Sequence, residues 1–236
     1  MSVSSQLPPL VIRISCLLAS AMLVSCASPP ELPDDGFVDV PGGRVAFRVL
    51  GEGTGTPVLV IHGGPGGRSC IYPQTLGELA AERPVIVYDQ LGTGYSDRMT
   101  DFEEQARLPR FVAEVDAIRS ELGLSELHIL GHSWGAAIAL EYLLTEDWSG
   151  VQSVVFVGPY FGTDRWIKDA EYLVSQLPGG TQKAIADAKA SGDFSSEEFL
   201  AANDAFKAEY LVRTPWETVD QPEIFNKVVN EFLVRC

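Results

Sequence analysis

Four short, largely apolar runs recur along the chain, at residues 57–61, 84–89, 127–130 and 151–157. Runs of this length, without polar alternation, predict strands covered on both faces of a sheet. Ahead of them, residues 37–40 and 44–50 alternate apolar and polar around Pro41-Gly42-Gly43, which predicts a β-hairpin. Between the runs the apolar spacing becomes helical. Phe111, Val115, Ile118 and Leu122 share one helical face, with Pro109 in the first turn and Gly123 just past the end. Residues 136–144 predict a second helix and residues 74–82 a third. Strands alternating with helices predict the α/β class: an open, mostly parallel sheet with helices on both faces, preceded by a hairpin.

The texture changes after residue 158. Residues 164–177, 181–191, 195–212 and 222–234 read as amphipathic helices. Ser195 with Glu198 forms a candidate capping box, and Pro222 opens the last helix. No buried-strand pattern returns, so residues 159–236 are expected to be an incomplete helical cap on a core formed by residues 37–158, with the final strands missing. In sheets of this kind function gathers in loops at the carboxyl ends of the strands. Three distinctive loops fall there, after Ile61, Asp89 and Leu130.

The first 26 residues are different material. They hold no acidic residue and one base, Arg13, followed by an apolar stretch at 14–24. That stretch is too short to span a bilayer and fits a secretory signal, residues 1–25. Its end, Leu23-Val24-Ser25-Cys26, resembles a bacterial lipobox, which implies lipidation of Cys26. An ordinary cleavage site, or an N-terminal anchor with a chance cysteine, are the alternatives. Residues 26–36, rich in proline and acid, read as a tether between membrane and domain. The expected location is the bacterial cell envelope, with the membrane reached through Cys26.

Composition narrows the function classes. The chain has 236 residues, 46% apolar and 21% charged, which suits one globular domain. Its net charge of −15 argues against nucleic-acid binding, which needs a basic footprint. Of four cysteines, Cys16 and Cys26 fall in the leader region, which leaves Cys70 and Cys236, and no disulfide is expected. No spacing suggests a metal, no cofactor is implied, and no phosphate-loop fingerprint is present.

The chemistry concentrates in three motifs. Gly131-His132-Ser133-Trp134-Gly135 sits where an apolar strand meets a helix, with a serine at the apex of the turn. Glycines on either side allow the chain to turn tightly and present the hydroxyl beside a helix N-terminus. Ser133 is therefore the candidate nucleophile, and the Trp134 N–H a candidate oxyanion donor. A small-residue turn, packing a helix closely on the sheet, is the bland alternative. His62-Gly63-Gly64-Pro65-Gly66-Gly67 follows another strand and supplies a second candidate donor, the Gly64 N–H. One such donor is worth roughly 3–4 kcal/mol to an acyl-transfer transition state. The third motif runs from Asp89 through glycines 92 and 94 to Arg98. It reads as a loop braced by internal hydrogen bonds rather than as an active-site acid.

In this order and spacing the three motifs resemble the proline iminopeptidase group of α/β-hydrolases, over residues 37–158 and more loosely into the cap. The resemblance implies a serine aminopeptidase that forms an acyl-enzyme on Ser133 and releases N-terminal residues, proline preferred, from small peptides or amino-acid amides. It also implies that His62 braces the oxyanion loop. Related esterases and lactonases share parts of the pattern, so ester hydrolysis stays open.

The chain departs from the family after the cap. There the family places the triad acid and histidine, in the order nucleophile, acid, histidine. The three histidines here, His62, His128 and His132, all precede Ser133. His128 lies five residues back, roughly 16 Å along an extended strand. His132 adjoins Ser133 on a tight turn, where side chains diverge. The two final strands, the acid, the histidine and the cap glutamate for a substrate ammonium are all without a counterpart. A serine lacking its base is a poor nucleophile near neutral pH, and losing one such partner costs on the order of 10^6 in kcat. The sequence therefore leads to the expectation of a truncated, impaired product, with a catalytically silent envelope lipoprotein as the competing reading. It also leads to the expectation of an apolar open edge at residues 151–157. Oligomeric state is not encoded in any pattern found.

Overall fold

The computed structural model describes residues 34–210. The leader, Cys26, most of the tether, the helix expected at 222–234 and Cys236 lie outside the described residues. Within them, one six-stranded sheet is formed by β1 (Asp35–Val40), β2 (Gly43–Leu50), β3 (Val58–Ile61), β4 (Val85–Tyr88), β5 (Leu127–His132) and β6 (Val151–Val157). The helices are α1 (Tyr72–Thr75), α2 (Gly77–Glu82), α3 (Phe102–Gln105), α4 (Leu108–Glu121), α5 (Trp134–Thr145), α6 (Thr163–Ser175), α7 (Gly179–Ser191) and α8 (Glu197–Tyr210).

The strand order is β1-β2-β4-β3-β5-β6. β2 pairs antiparallel with β1 and β4, and every later pair is parallel. The hairpin turns through Pro41-Gly42, where Gly42 takes φ 97°, a conformation that suits a residue without Cβ. β1 takes in Asp35 and Gly36, which the composition had placed in the tether.

The apolar runs are apolar because both sheet faces are covered. Leu59 and Ile61 pack on one face with Phe111, Val115, Ile138 and Tyr142 of α4 and α5. Val58 and Val60 pack on the other with Tyr72 of α1, Leu79 of α2 and Leu76 between the two helices. Each fully buried side chain of this kind contributes roughly 1.5–3 kcal/mol. The helix expected at 74–82 is broken. Leu76 leaves the helical region (φ −112°, ψ 12°), buries its side chain, and separates α1 from α2.

Among the described residues β6 is an outer strand. Val154 packs toward one face and Val155 and Val157 toward the other, yet no side chain of β6 is fully buried. The apolar edge anticipated from the sequence is present in this part of the molecule. Beyond it, α6, α7 and α8 gather a small core of their own around Leu177, Ile185 and Ala202, with Val174 and Phe206 against it. The cap of α8 differs from expectation. Ser196, not Ser195, accepts the Phe199 N–H (3.3 Å), while Ser195 Oγ donates to Asp193 Oδ1 (2.7 Å). The helix therefore starts one residue later than the capping-box pattern suggests.

Candidate active site

β3 and β5 are parallel neighbours, with Ile61 opposite Gly131. Their following segments therefore emerge side by side. The strand expected at 127–130 runs on to His132, and α5 begins at Trp134. Ser133 alone makes the turn. Its φ of 52° and ψ of −112° are rare for a residue with a Cβ and represent stored strain of the order of 1–3 kcal/mol.

The surroundings hold that strain. The Ser133 N–H donates to Val157 O (2.9 Å), at the end of β6. Its carbonyl accepts from Ala136 N (3.0 Å) and from Tyr160 N (3.2 Å). Glycines are required on both sides. A methyl at Gly131 would stand 2.7 Å from Ala136 Cα, and one at Gly135 still closer to the end of β3. Among the described residues the Ser133 hydroxyl has no hydrogen-bond partner, and the side chain is half-buried.

The His62–Gly67 segment passes beside this turn. A methyl at Gly63 would lie 3.1 Å from His132 Nδ1 and 3.2 Å from Ser133 Cβ. Gly64 has φ 145° and precedes a cis bond to Pro65. Among the described residues neither the Gly64 N–H nor the Trp134 N–H is taken by another acceptor. For Trp134 this follows from its place in the first helical turn, where amides have no intrahelical partner.

The loop is braced from behind. The Gln90 N–H donates to His62 Nε2 (3.1 Å), so Nε2 is bare and Nδ1 carries the proton, which it donates to Gly63 O (2.7 Å). Gln90 Nε2 donates in turn to His62 O (2.8 Å). Burial lowers the His62 pKa and keeps this imidazole neutral. The next amide, Leu91 N–H, donates to Glu114 Oε1 (2.9 Å), which also lies 2.7 Å from Arg110 Nη1. Glu114 is fully buried, and burial pushes its pKa up to about 7 against the opposing pull of Arg110. Burial outweighs the Arg110 charge and the Leu91 N–H bond, which both lower it.

Asp89 has the structural role expected of it. Oδ1 accepts from Ser69 N (2.8 Å) and Oδ2 from Tyr95 N (2.9 Å), while Ser96 Oγ donates to Asp89 O. Arg98 does not meet Asp89; its Nη1 donates to Gly92 O (2.7 Å). The other two histidines are likewise engaged. His128 Nδ1 shares a hydrogen bond with Ser153 Oγ (2.8 Å), and burial followed by the Arg83 charge lowers its pKa to about 4. His132 Nδ1 meets Tyr72 Oη (3.1 Å), and burial lowers its pKa as well. No histidine is bonded to Ser133.

Two participants were not apparent in the sequence. Tyr72 had no signal beyond being aromatic. Glu114 had one: it falls on the stripe of Phe111, Val115 and Ile118, so a carboxylate was due to be buried there. Cys70 is exposed and, among the described residues, unbridged. A cavity of 490 Å³ bounded by Arg48, Arg68, Phe47 and Tyr95 touches Asp89 but no residue of the Ser133 turn.

Comparison with known proteins agrees with this geometry. A family model described as alpha/beta hydrolase fold matches residues 56–228. The proline iminopeptidase of Heyndrickxia coagulans is 47% identical over 180 residues, covering 76% of this chain and 62% of that protein. The proline iminopeptidase of Lactobacillus delbrueckii subsp. lactis is 37% identical over 180 residues, covering 75% and 60%. The crystal structure of a Mycobacterium smegmatis proline iminopeptidase superposes with a TM-score of 0.68 at 27% identity, covering 85% of this chain and 67% of that one. The chain thus spans about 60% of the length of these curated relatives. On these grounds it belongs to the alpha/beta hydrolase fold family, and within that family it is similar to proline iminopeptidases.

Proposed function

We propose that Ser133 is the nucleophile of a serine hydrolase of proline iminopeptidase type, acting on the peptide bond after an N-terminal residue, proline preferred. The observation that carries this is the turn itself: one strained serine between β5 and α5 beside a glycine loop, its hydroxyl and the nearby Gly64 and Trp134 amides without a partner among the described residues. Ser133 Oγ attacks the carbonyl carbon and its proton passes to a base. The C=O π electrons move to oxygen, and the Gly64 and Trp134 N–H groups receive the oxyanion. Collapse breaks the C–N bond, the amine leaves with a proton, and water then hydrolyses the acyl-enzyme. Identity to named proline iminopeptidases supports the substrate class.

Among the described residues no histidine is placed to act as that base. His62, His128 and His132 are each committed to other partners. Acylation of this chain is therefore slow unless a base is added. With imidazole in the buffer, a fluorophosphonate should label the wild type at Ser133 and leave Ser133→Ala unlabelled. Proline p-nitroanilide and p-nitrophenyl acetate then separate the two substrate classes. Cleavage of the ester alone would replace the peptidase reading by an esterase one, and absence of labelling in a folded chain would favour the silent lipoprotein.

Lipid attachment at Cys26, with the domain tethered at the bacterial envelope, is part of the same proposal and rests on the leader sequence. Incorporation of an alkyne fatty acid into the wild type but not into Cys26→Ser would support it; equal incorporation would remove it.

A further inference from the structure

Tyr72 stands at the start of α1, just beyond the glycine loop. Its ring is buried with Val58, Val60, Val87 and Leu130, on the face of the sheet that α1 and α2 cover. The phenol reaches past this packing to the end of β5. There it meets His132 Nδ1 at 3.1 Å, with the two rings nearly perpendicular at 6.4 Å between centroids. Burial pushes the phenol's pKa up to about 12. At neutral pH the phenol therefore keeps its proton, and it shares one hydrogen bond with His132 Nδ1.

One hydroxyl thus ties the helix that follows the glycine loop to the nucleophile turn. Gly63 belongs to the loop after β3, and His132 immediately precedes Ser133. The two main-chain segments are already close enough that a methyl on Gly63 would touch both His132 and Ser133. Nothing in ring packing requires the hydroxyl, since phenylalanine would fill the same volume. A buried phenol instead takes a partner wherever geometry offers one.

We propose that Tyr72 is a positioning residue: its hydroxyl, bonded to His132, fixes the nucleophile turn against α1, the helix that follows the glycine loop, and so sets the distance from the Ser133 hydroxyl to the oxyanion donors. The proposal rests on the acyl-transfer reading of Ser133. A shift of even 1 Å between nucleophile and donors matters in such sites.

The test uses the full chain in imidazole buffer and compares wild type, Tyr72→Phe, His132→Ala and the double variant. Each is read by the rate of fluorophosphonate labelling and by thermal melting. Tyr72→Phe should slow labelling roughly fivefold to tenfold, the size of one neutral hydrogen bond, with little change in Tm. His132→Ala should slow it too, and the double variant should be no slower than the slower single, because both remove one link. Wild-type labelling by Tyr72→Phe, or effects that multiply, would overturn the bridge. If the wild type itself is not labelled above Ser133→Ala, the acyl-transfer reading fails and the positioning role with it. The bridge is then still judged by nitrogen NMR of His132. An acceptor-type Nδ1 that shifts in Tyr72→Phe upholds the contact, and an unchanged resonance removes it.

Discussion

Gly135 and Ile61 meet main chain to main chain: a methyl added at Gly135 would stand 2.0 Å from the Ile61 carbonyl oxygen. The neighbour is backbone in a central strand, so it cannot rotate away as a side chain would. This contact seats α5 against β3 and fixes where Ser133 comes to rest. Gly135→Ala should therefore cost about 3 kcal/mol or more. In urea the unfolding midpoint should fall by about 1 M or more. A midpoint within a few tenths molar of wild type would show that the helix can lift off the strand without penalty.

Replacing Ser133 separates strain from reactivity. Ser133→Gly removes the Cβ from a backbone at φ 52°, whereas Ser133→Ala keeps it. Both should lose fluorophosphonate labelling. The glycine variant should be the more stable of the two by about 1 kcal/mol, the smaller end of such strain. Equal stabilities in chemical denaturation would mean that the turn stores nothing.

The Asp89 brace and Gly94 are coupled through space. A methyl on Gly94 would lie 1.8 Å from Asp89 Oδ2, at φ 46°. Asp89→Ala leaves the Ser69 and Tyr95 amides without their acceptor and should cost about 3 kcal/mol. Gly94→Ala should be destabilising in the wild type and less so in the Asp89→Ala background. The double variant should thus be more stable than the sum of the singles implies. Strict additivity in urea denaturation would contradict the contact.

Glu114 makes stability depend on pH in an unusual direction. Its pKa rises from 4.5 to about 7 on folding, so the folded state holds the proton more tightly than the unfolded one. The associated stability is present below pH 4.5 and is lost as pH rises through 7, by up to about 3 kcal/mol. His128 acts oppositely: its pKa falls from 6.5 to about 4, so stability is present above 6.5 and lost as pH falls toward 4. The two oppose each other in the wild type. The difference between Glu114→Gln and wild type isolates the carboxyl, and it should move in favour of the variant between pH 4.5 and 7.5. A flat difference would mean that Glu114 is ionised throughout.

How much of this was legible follows from what each residue type announces. β3, β4 and β5 were readable because burial on both faces leaves short, largely apolar runs. The Ser133 turn was readable because glycines at 131 and 135 are demanded by backbone contact and by little else. The break at Leu76 was not, since a buried leucine fits a continuous helix as well as an interrupted one. The shift from Ser195 to Ser196 turned on which of two adjacent hydroxyls Asp193 captured. Tyr72 was silent because its hydroxyl gains meaning only when β3 and β5 pair, 60 residues away from His132 in sequence.

That pairing also decides where the molecule can open. β3 and β5 lie inside the sheet, whereas β1 and β6 lie at its margins among the described residues. Fraying at either margin releases amides to deuterium without parting the two strands that carry the loop and the turn. The amides of Val60 and Leu130 should accordingly be among the last to exchange, on the timescale of global unfolding. The arrangement of the loop and the turn therefore persists for as long as the domain itself does.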